Sequence, residues 1–127
     1  MSTLKLDTLS NALGTKTVPS ETVVEGSAKA WVLFSQIGTQ TIDSAFNVSS
    51  ITDLGAGLTR INFLNPVLSS SYAAALSGKD TGVGANFVAE VLGGARSTTQ
   101  FDVGGWAYTG ARADLSHVSV IVFHHQQ

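Results

Sequence analysis

The sequence predicts an all-β fold, an antiparallel β-sandwich of jelly-roll or immunoglobulin-like arrangement with an extended N-terminal arm, and three observations carry that expectation. Apolar and polar residues alternate with period two, most clearly over residues 58–63 and 98–108, which is how a strand turns one face to a core. Turn residues recur roughly every 8 to 12 positions, the spacing of short strands joined by reversals. Charge is scarce: Asp, Glu, Lys and Arg make up 13% of the 127 residues, about half the usual share. Two readings account for the last point. Either Ser, Thr and Asn cover the solvent face of a β domain, or much of the surface is hidden in an assembly, since interface cores are depleted in charge; assembly is favoured.

Each element follows from local chemistry. Residues 4–9 place Leu4 and Leu6 on one face and Lys5 and Asp7 on the other, the pattern of a half-buried edge strand. Residues 10–21 are polar and contain Gly14 and Pro19, so they are expected to form a loop or arm docking on a neighbour. Residues 1–25 are accordingly read as N-terminal strand and docking arm, and 26–127 as a single β-sandwich domain. Residues 28–34 hold Trp31, Val32, Leu33 and Phe34 in succession, which predicts a strand buried on both faces. In residues 40–48, Ile42 and Phe46 are the core candidates. Residues 51–53 and 58–63 flank Leu54-Gly55-Ala56-Gly57, a β-hairpin, because glycine reaches the positive φ of a tight reversal.

Asn65-Pro66 interrupts the strand pattern, proline lacking an amide donor and restricting its predecessor. Residues 72–76 and 87–92 are assigned as strands, although Phe87, Val88, Val91 and Leu92 also stand at helical spacing before Gly93. Residues 98–108 alternate around Phe101, Val103 and Tyr108, and Gly104-Gly105 marks a bulge or a close backbone approach. The β-branched run at 118–123 is that of a strand in the middle of a sheet. Sequence alone does not order the strands.

Composition excludes several classes. A chain of this length buries a core without staples, and the absence of cysteine removes disulfides and thiolate metal sites. Seven scattered Lys and Arg with a net charge of −2 do not make the basic stripe that nucleic acid needs, so no nucleic-acid partner is expected. Lys5 and Asp7 fall where a secretory signal would be apolar, and the most apolar run, 118–123, is far short of the roughly 20 residues of a membrane span. The expectation is a soluble chain made in the cytoplasm, without membrane insertion.

Candidate chemistry is thin. Asp114, Ser116 and His117 lie too close in sequence for a hydrolase triad, and no G-x-S-x-G occurs. His124 and His125 are adjacent and so point to opposite faces of a strand; a frayed polar tail is the expected reading. Residues 80–86 alternate oxygen ligands with glycines but lack the bidentate acid that closes a calcium loop, and Gly82-x-Gly84 is not a dinucleotide fingerprint. Asn47-Val48-Ser49 is a glycosylation acceptor without the secretory context to use it. Asp43, Asp53, Glu90, Asp102 and Asp114 stand singly and are read as a solvated face. No catalytic residue, metal site or cofactor is expected. Trp31 and Trp106 are expected in the core; the alternative is a sugar-stacking face formed by Trp106 and Tyr108. Arg60, Arg96 and Arg112, with Leu4 and Leu6, are the candidates for inter-subunit contact, plain surface exposure being as good a reading for the arginines.

The opening Met1-Ser2-Thr3-Leu4-Lys5-Leu6-Asp7-Thr8, then GSAKAWVLF at 26–34, FNVSSITDLGAGLTRINF at 46–63 and VSVIVF at 118–123, resemble virion proteins of tailed bacteriophages, in particular a β-rich domain of their structural proteins. The similarity runs from about residue 26 onward and is greatest at Trp31 and residues 47–53. It implies a non-enzymatic virion protein working as a symmetric oligomer, a trimer, as a tail-fibre or tail-associated receptor-contact module. The alternatives are a capsid decoration protein and a lectin-like module. The partners so implied are other copies of itself, other virion proteins (tail or major capsid protein) and a host-surface glycan.

Overall fold

In the computed structural model, which describes residues 2–79, 82, 86–91 and 93–124, a small N-terminal unit precedes eight longer strands. That unit holds β1 (Thr8–Ser10) and β2 (Thr17–Pro19), paired antiparallel, and a seven-residue helix α1 (Ser20–Gly26). The strands are β3 (Ala30–Ser35), β4 (Thr41–Phe46), β5 (Val48–Gly55), β6 (Leu58–Phe63), β7 (Ala73–Lys79), β8 (Asn86–Glu90), β9 (Gln100–Ala107) and β10 (His117–Phe123). They form two antiparallel sheets, sheet I in the order β4-β3-β10-β7 and sheet II in the order β5-β6-β9-β8. The all-β sandwich expected from the alternation is present, and β10 lies inside sheet I, between β3 and β7.

Period two fills the space between the sheets. From sheet I come Ala30, Val32 and Phe34 of β3 and Val118, Val120 and Val122 of β10; from sheet II come Ile61 and Phe63 of β6 and Phe101 and Val103 of β9. Each of the Val, Ile and Phe side chains contributes roughly 1.5–3 kcal/mol by leaving water, before conformational entropy is set against it. Tyr72 closes one end, edge-on to Phe63 at 6.0 Å and to Phe101 at 5.8 Å between ring centroids. Edge-to-face contact sets the positive rim of one ring against the negative face of the next.

The 51–63 hairpin is as expected, with Ala56 and Gly57 linking β5 to β6. Gly57 has φ 63°, and a Cβ there would lie 2.8 Å from Ala113 N, Ala113 O and Gly105 O. The turn is stitched to the 113–114 segment: Gly57 N donates to Asp114 Oδ1 at 2.6 Å, and Gly105 N donates to Gly57 O at 2.8 Å. Of the two readings of Gly104-Gly105, close approach is the one observed. The β9 register runs unbroken through both residues, so there is no bulge.

Several expectations are corrected. β3 is buried on one face only: Trp31 points outward and is exposed, and so is Phe46 of β4, because Trp31 and Phe46 are cross-strand partners on the outer face. An unbroken apolar run was a poor guide to two-sided burial here, since the residues facing outward are apolar as well. Ile42, by contrast, packs against the core. At the N-terminus the strand is confined to Thr8–Ser10, and Leu4 and Leu6 precede it, exposed. The 10–21 stretch is not all loop. Pro19 stands at the N-cap position, without a side-chain cap, of a helix that carries Glu21 in its first turn, where an acid favours the helix dipole, and the β-branched Val23-Val24 masked it. Residues 87–90 lie in a strand and not a helix, Leu92 falling outside the described residues.

Candidate interaction surfaces

On the outer face of sheet II the polar residues are matched to one another. Arg60 on β6 faces Asp102 on β9 and grips it with two hydrogen bonds, Nε to Oδ1 at 2.7 Å and Nη2 to Oδ2 at 2.9 Å; Ala95 N adds a third at 2.8 Å. The Arg60 hydrogen bonds, with help from Ala95 N, hold the Asp102 carboxyl below the usual carboxylate range despite its burial, and the carboxylate raises Arg60 in turn. Asp102 is therefore not part of a solvated face: it is buried and paired.

The other two candidate arginines are also engaged within the chain. Arg96 pairs with Glu90 at 2.7 Å, donates to Ser70 O at 3.0 Å and to Tyr72 O, and lies over the Tyr72 ring at 4.1 Å. Arg112 sits 4.1 Å from the centre of the Trp106 ring. Trp106 is half-buried on the outer face of sheet II, not in the core, and stacks on its cross-strand partner Phe87 at 5.3 Å with an interplanar angle of 8°. Gly104 makes this possible, because a Cβ there would strike the Arg112 guanidinium and the Trp106 indole. Phe87 and Arg112 thus both lie against Trp106, while Tyr108 is exposed. The structure places Trp106 and Tyr108 on the same strand end without bringing both rings bare to solvent.

The remaining candidates have structural employment. Asp114 holds the hairpin turn, Ser116 donates to Lys79 O from both N and Oγ at 3.2 Å, and His117 is exposed at the start of β10. His124 is buried at the end of β10 and lines a groove, which corrects the frayed-tail reading for that residue; His125 lies outside the described residues. So do most of the 80–86 positions compared with a calcium loop. Among the described residues no group of three or more His, Cys, Asp or Glu could hold a metal ion, and no helix is long and apolar enough to cross a membrane.

The groove, about 580 Å³, opens where β4 turns into β5, between Lys29, Phe46, Leu64, Pro66, Leu68 and His124. Asn47 shapes it. Its φ of 54° is uncommon outside glycine but tolerated by asparagine, and its side chain donates to Lys29 O (3.0 Å) and Asn65 O (3.1 Å) while accepting from Asn65 N (2.8 Å). Sequence reasoning saw Asn47 only as a glycosylation acceptor; the available signal was an asparagine between two strands, a residue able to take the left-handed turn.

Apolar side chains gather on the N-terminal unit. Leu4, Leu6 and Leu9 meet Val23 and Val24 of α1 around a second groove of about 500 Å³, yet none of these residues is buried. The helix packs on its own hairpin, not on the sandwich. No protein-family model matches the chain, and neither a curated protein nor a solved structure does.

Proposed function

We propose that this chain is a structural component of a tailed-phage virion, without enzymatic activity, that assembles as a symmetric trimer and serves as a tail-fibre or tail-associated receptor-contact module. The observation that carries the reading is the N-terminal unit: an arm with six large apolar side chains in the open, attached to a domain unusually poor in charge. Burial of such a face against another chain is the work of an assembly protein. The resemblance of 26–34, 46–63 and 118–123 to phage structural domains supplies the setting. Catalysis has no comparable support: Asp102 is paired with Arg60, Asp114 holds the hairpin turn and Ser116 bonds to Lys79 O.

Immunogold labelling of purified particles with an antibody against this chain tests the proposal. Sparse gold at the tail is the expected result. Dense gold over the head would make the chain a decoration protein, and its absence from both intact and disrupted particles would remove it from the virion. A glycan-binding role remains the second reading, favoured by the exposed Tyr108 beside the Phe87–Trp106 stack; glycan-array binding lost in Tyr108→Ala is its signature.

A further inference from the structure

Sheet I carries its own uncovered surface. Register sets Phe46 of β4, Trp31 of β3, Ile121 of β10 and Ala75 of β7 side by side in one row across all four strands. All four are exposed, Phe46 at 53% and Trp31 and Ile121 at 38% each. The next row, Ser44, Leu33, Ser119 and Ser77, is also without charge. At Phe46 the row runs into the 580 Å³ groove, where Leu64 and Leu68 are 65% and 56% exposed. With Leu64 and Leu68 the band is at the upper end of the apolar patches that monomers leave in water, a size that often marks a functional surface.

Two uncovered apolar surfaces therefore exist on one chain, and the linker keeps them apart. α1 passes to β3 through Ser27, Ala28 and Lys29; Ser27 Oγ donates to Val23 O, Lys29 Nζ to Val24 O, and Lys29 N to Val122 O at 2.7 Å. Tied in this way, the linker holds the arm off the row, whose residues stay exposed. We infer that the N-terminal arm of one copy packs its Leu4–Leu6–Leu9 face across the Phe46–Trp31–Ile121–Ala75 row of a second copy. This deepens the assembly part of the proposed function and rests on it.

Area supports the match. From the exposed fractions and ordinary side-chain sizes, the arm offers roughly 600 Å² of apolar surface when Leu13, Val23 and Val24 are counted with the Leu4–Leu6–Leu9 face, and the row offers roughly 500 to 600 Å² with Leu64 and Leu68 beside it; two faces so matched in extent reach the ~1,000 Å² floor of a specific interface before any polar rim is counted. The contact is head-to-tail, arm to sheet, and such a contact either closes into a ring or runs on as a filament. A trimer is a ring of this kind.

The chain has no cysteine, which gives disulfide trapping a clean background. Full-length Leu6→Cys and Ala75→Cys chains would be co-expressed, oxidised mildly and digested. The expected result is a cross-linked peptide joining residue 6 of one chain to residue 75 of another. In parallel, Ile121→Lys, an outward position, is expected to keep the native circular dichroism spectrum while weakening association at least 100-fold by light scattering. A stable oligomer that yields no 6–75 link, or that Ile121→Lys leaves intact, would overturn the arm-on-sheet contact and leave assembly standing. A wild-type chain that stays monomeric at high concentration would overturn both.

Discussion

Tyr72 shows how a single side chain couples the core to pH. Burial raises its phenol to about 12, with the nearby Arg96 opposing the shift, and among the described residues its hydroxyl is the buried side-chain polar atom left without a hydrogen-bond partner. Because the folded value lies above the unfolded one near 10, the unfolded chain loses its proton first as pH rises. Stability attached to the neutral phenol is complete below pH 10 and is lost between about 10 and 12, on the order of 2 to 3 kcal/mol. Tyr72→Phe is expected to flatten that alkaline decline in urea midpoints and to add up to about 1 kcal/mol at pH 7, since an unpaired buried hydroxyl disappears. Asp102 works in the opposite direction. Its folded value is lowered, so its contribution is present above the ordinary carboxylate range and fades as pH falls through the folded value. Arg60→Met should lower the urea midpoint at pH 7 and shrink the difference between midpoints at pH 7 and pH 2, because Asp102 is then left buried without its guanidinium. Neither role was legible in the sequence: Asp102 and Arg60 meet across strands 42 residues apart, and a lone carboxylate in an alternating run looks the same whether solvated or gripped.

Among the elements, the β5–β6 hairpin was legible because its turn chemistry is local, and the 98–108 strand because its alternation is clean. What stayed hidden depended on distant packing. Period two locates the two faces of β3 but does not say which is wet, and with Trp31 on one side and Phe34 on the other, hydrophobicity pointed both ways. The short helix α1 was masked by its β-branched Val23-Val24, Glu21 in its first turn being the one helical signal. Gly57 gives a sharp test at this scale. Gly57→Ala forces a side chain into a left-handed backbone and against three backbone atoms at 2.8 Å; a loss on the order of 2 to 4 kcal/mol in chemical denaturation is expected. Asn47→Ala, which removes three hydrogen bonds at another left-handed position, should cost about as much and loosen the groove wall.

At the level of the whole molecule the proposed assembly assigns association to the arm and folding to the sandwich. Removing residues 1–26 is expected to leave the sandwich folded, with a melting temperature within a few degrees of the parent, and to reduce the oligomer to monomer in light scattering. The uncharged row on sheet I further predicts that association tolerates sodium chloride and is strengthened by sulfate, as apolar burial is and surface ion pairing is not. The β-sandwich was readable from the sequence, and so were Leu4 and Leu6 as apolar residues without a core to enter, whereas the exposed row on sheet I was not, since Trp31 and Phe46 look like core residues until their facing is known.

The place of β10 between β3 and β7 bears on how the protein is made. Sheet I holds strands from the start and the middle of the domain that do not touch until the 117–123 segment slots between them. During translation β3 with β4, and β5 with β6, can pair as soon as they emerge, but β7 has no place in sheet I until β10 follows it. A chain interrupted between β7 and β10 is therefore expected to keep unpaired strand edges and to aggregate more readily than the full chain, which refolding of a chain cut before residue 117 checks by light scattering.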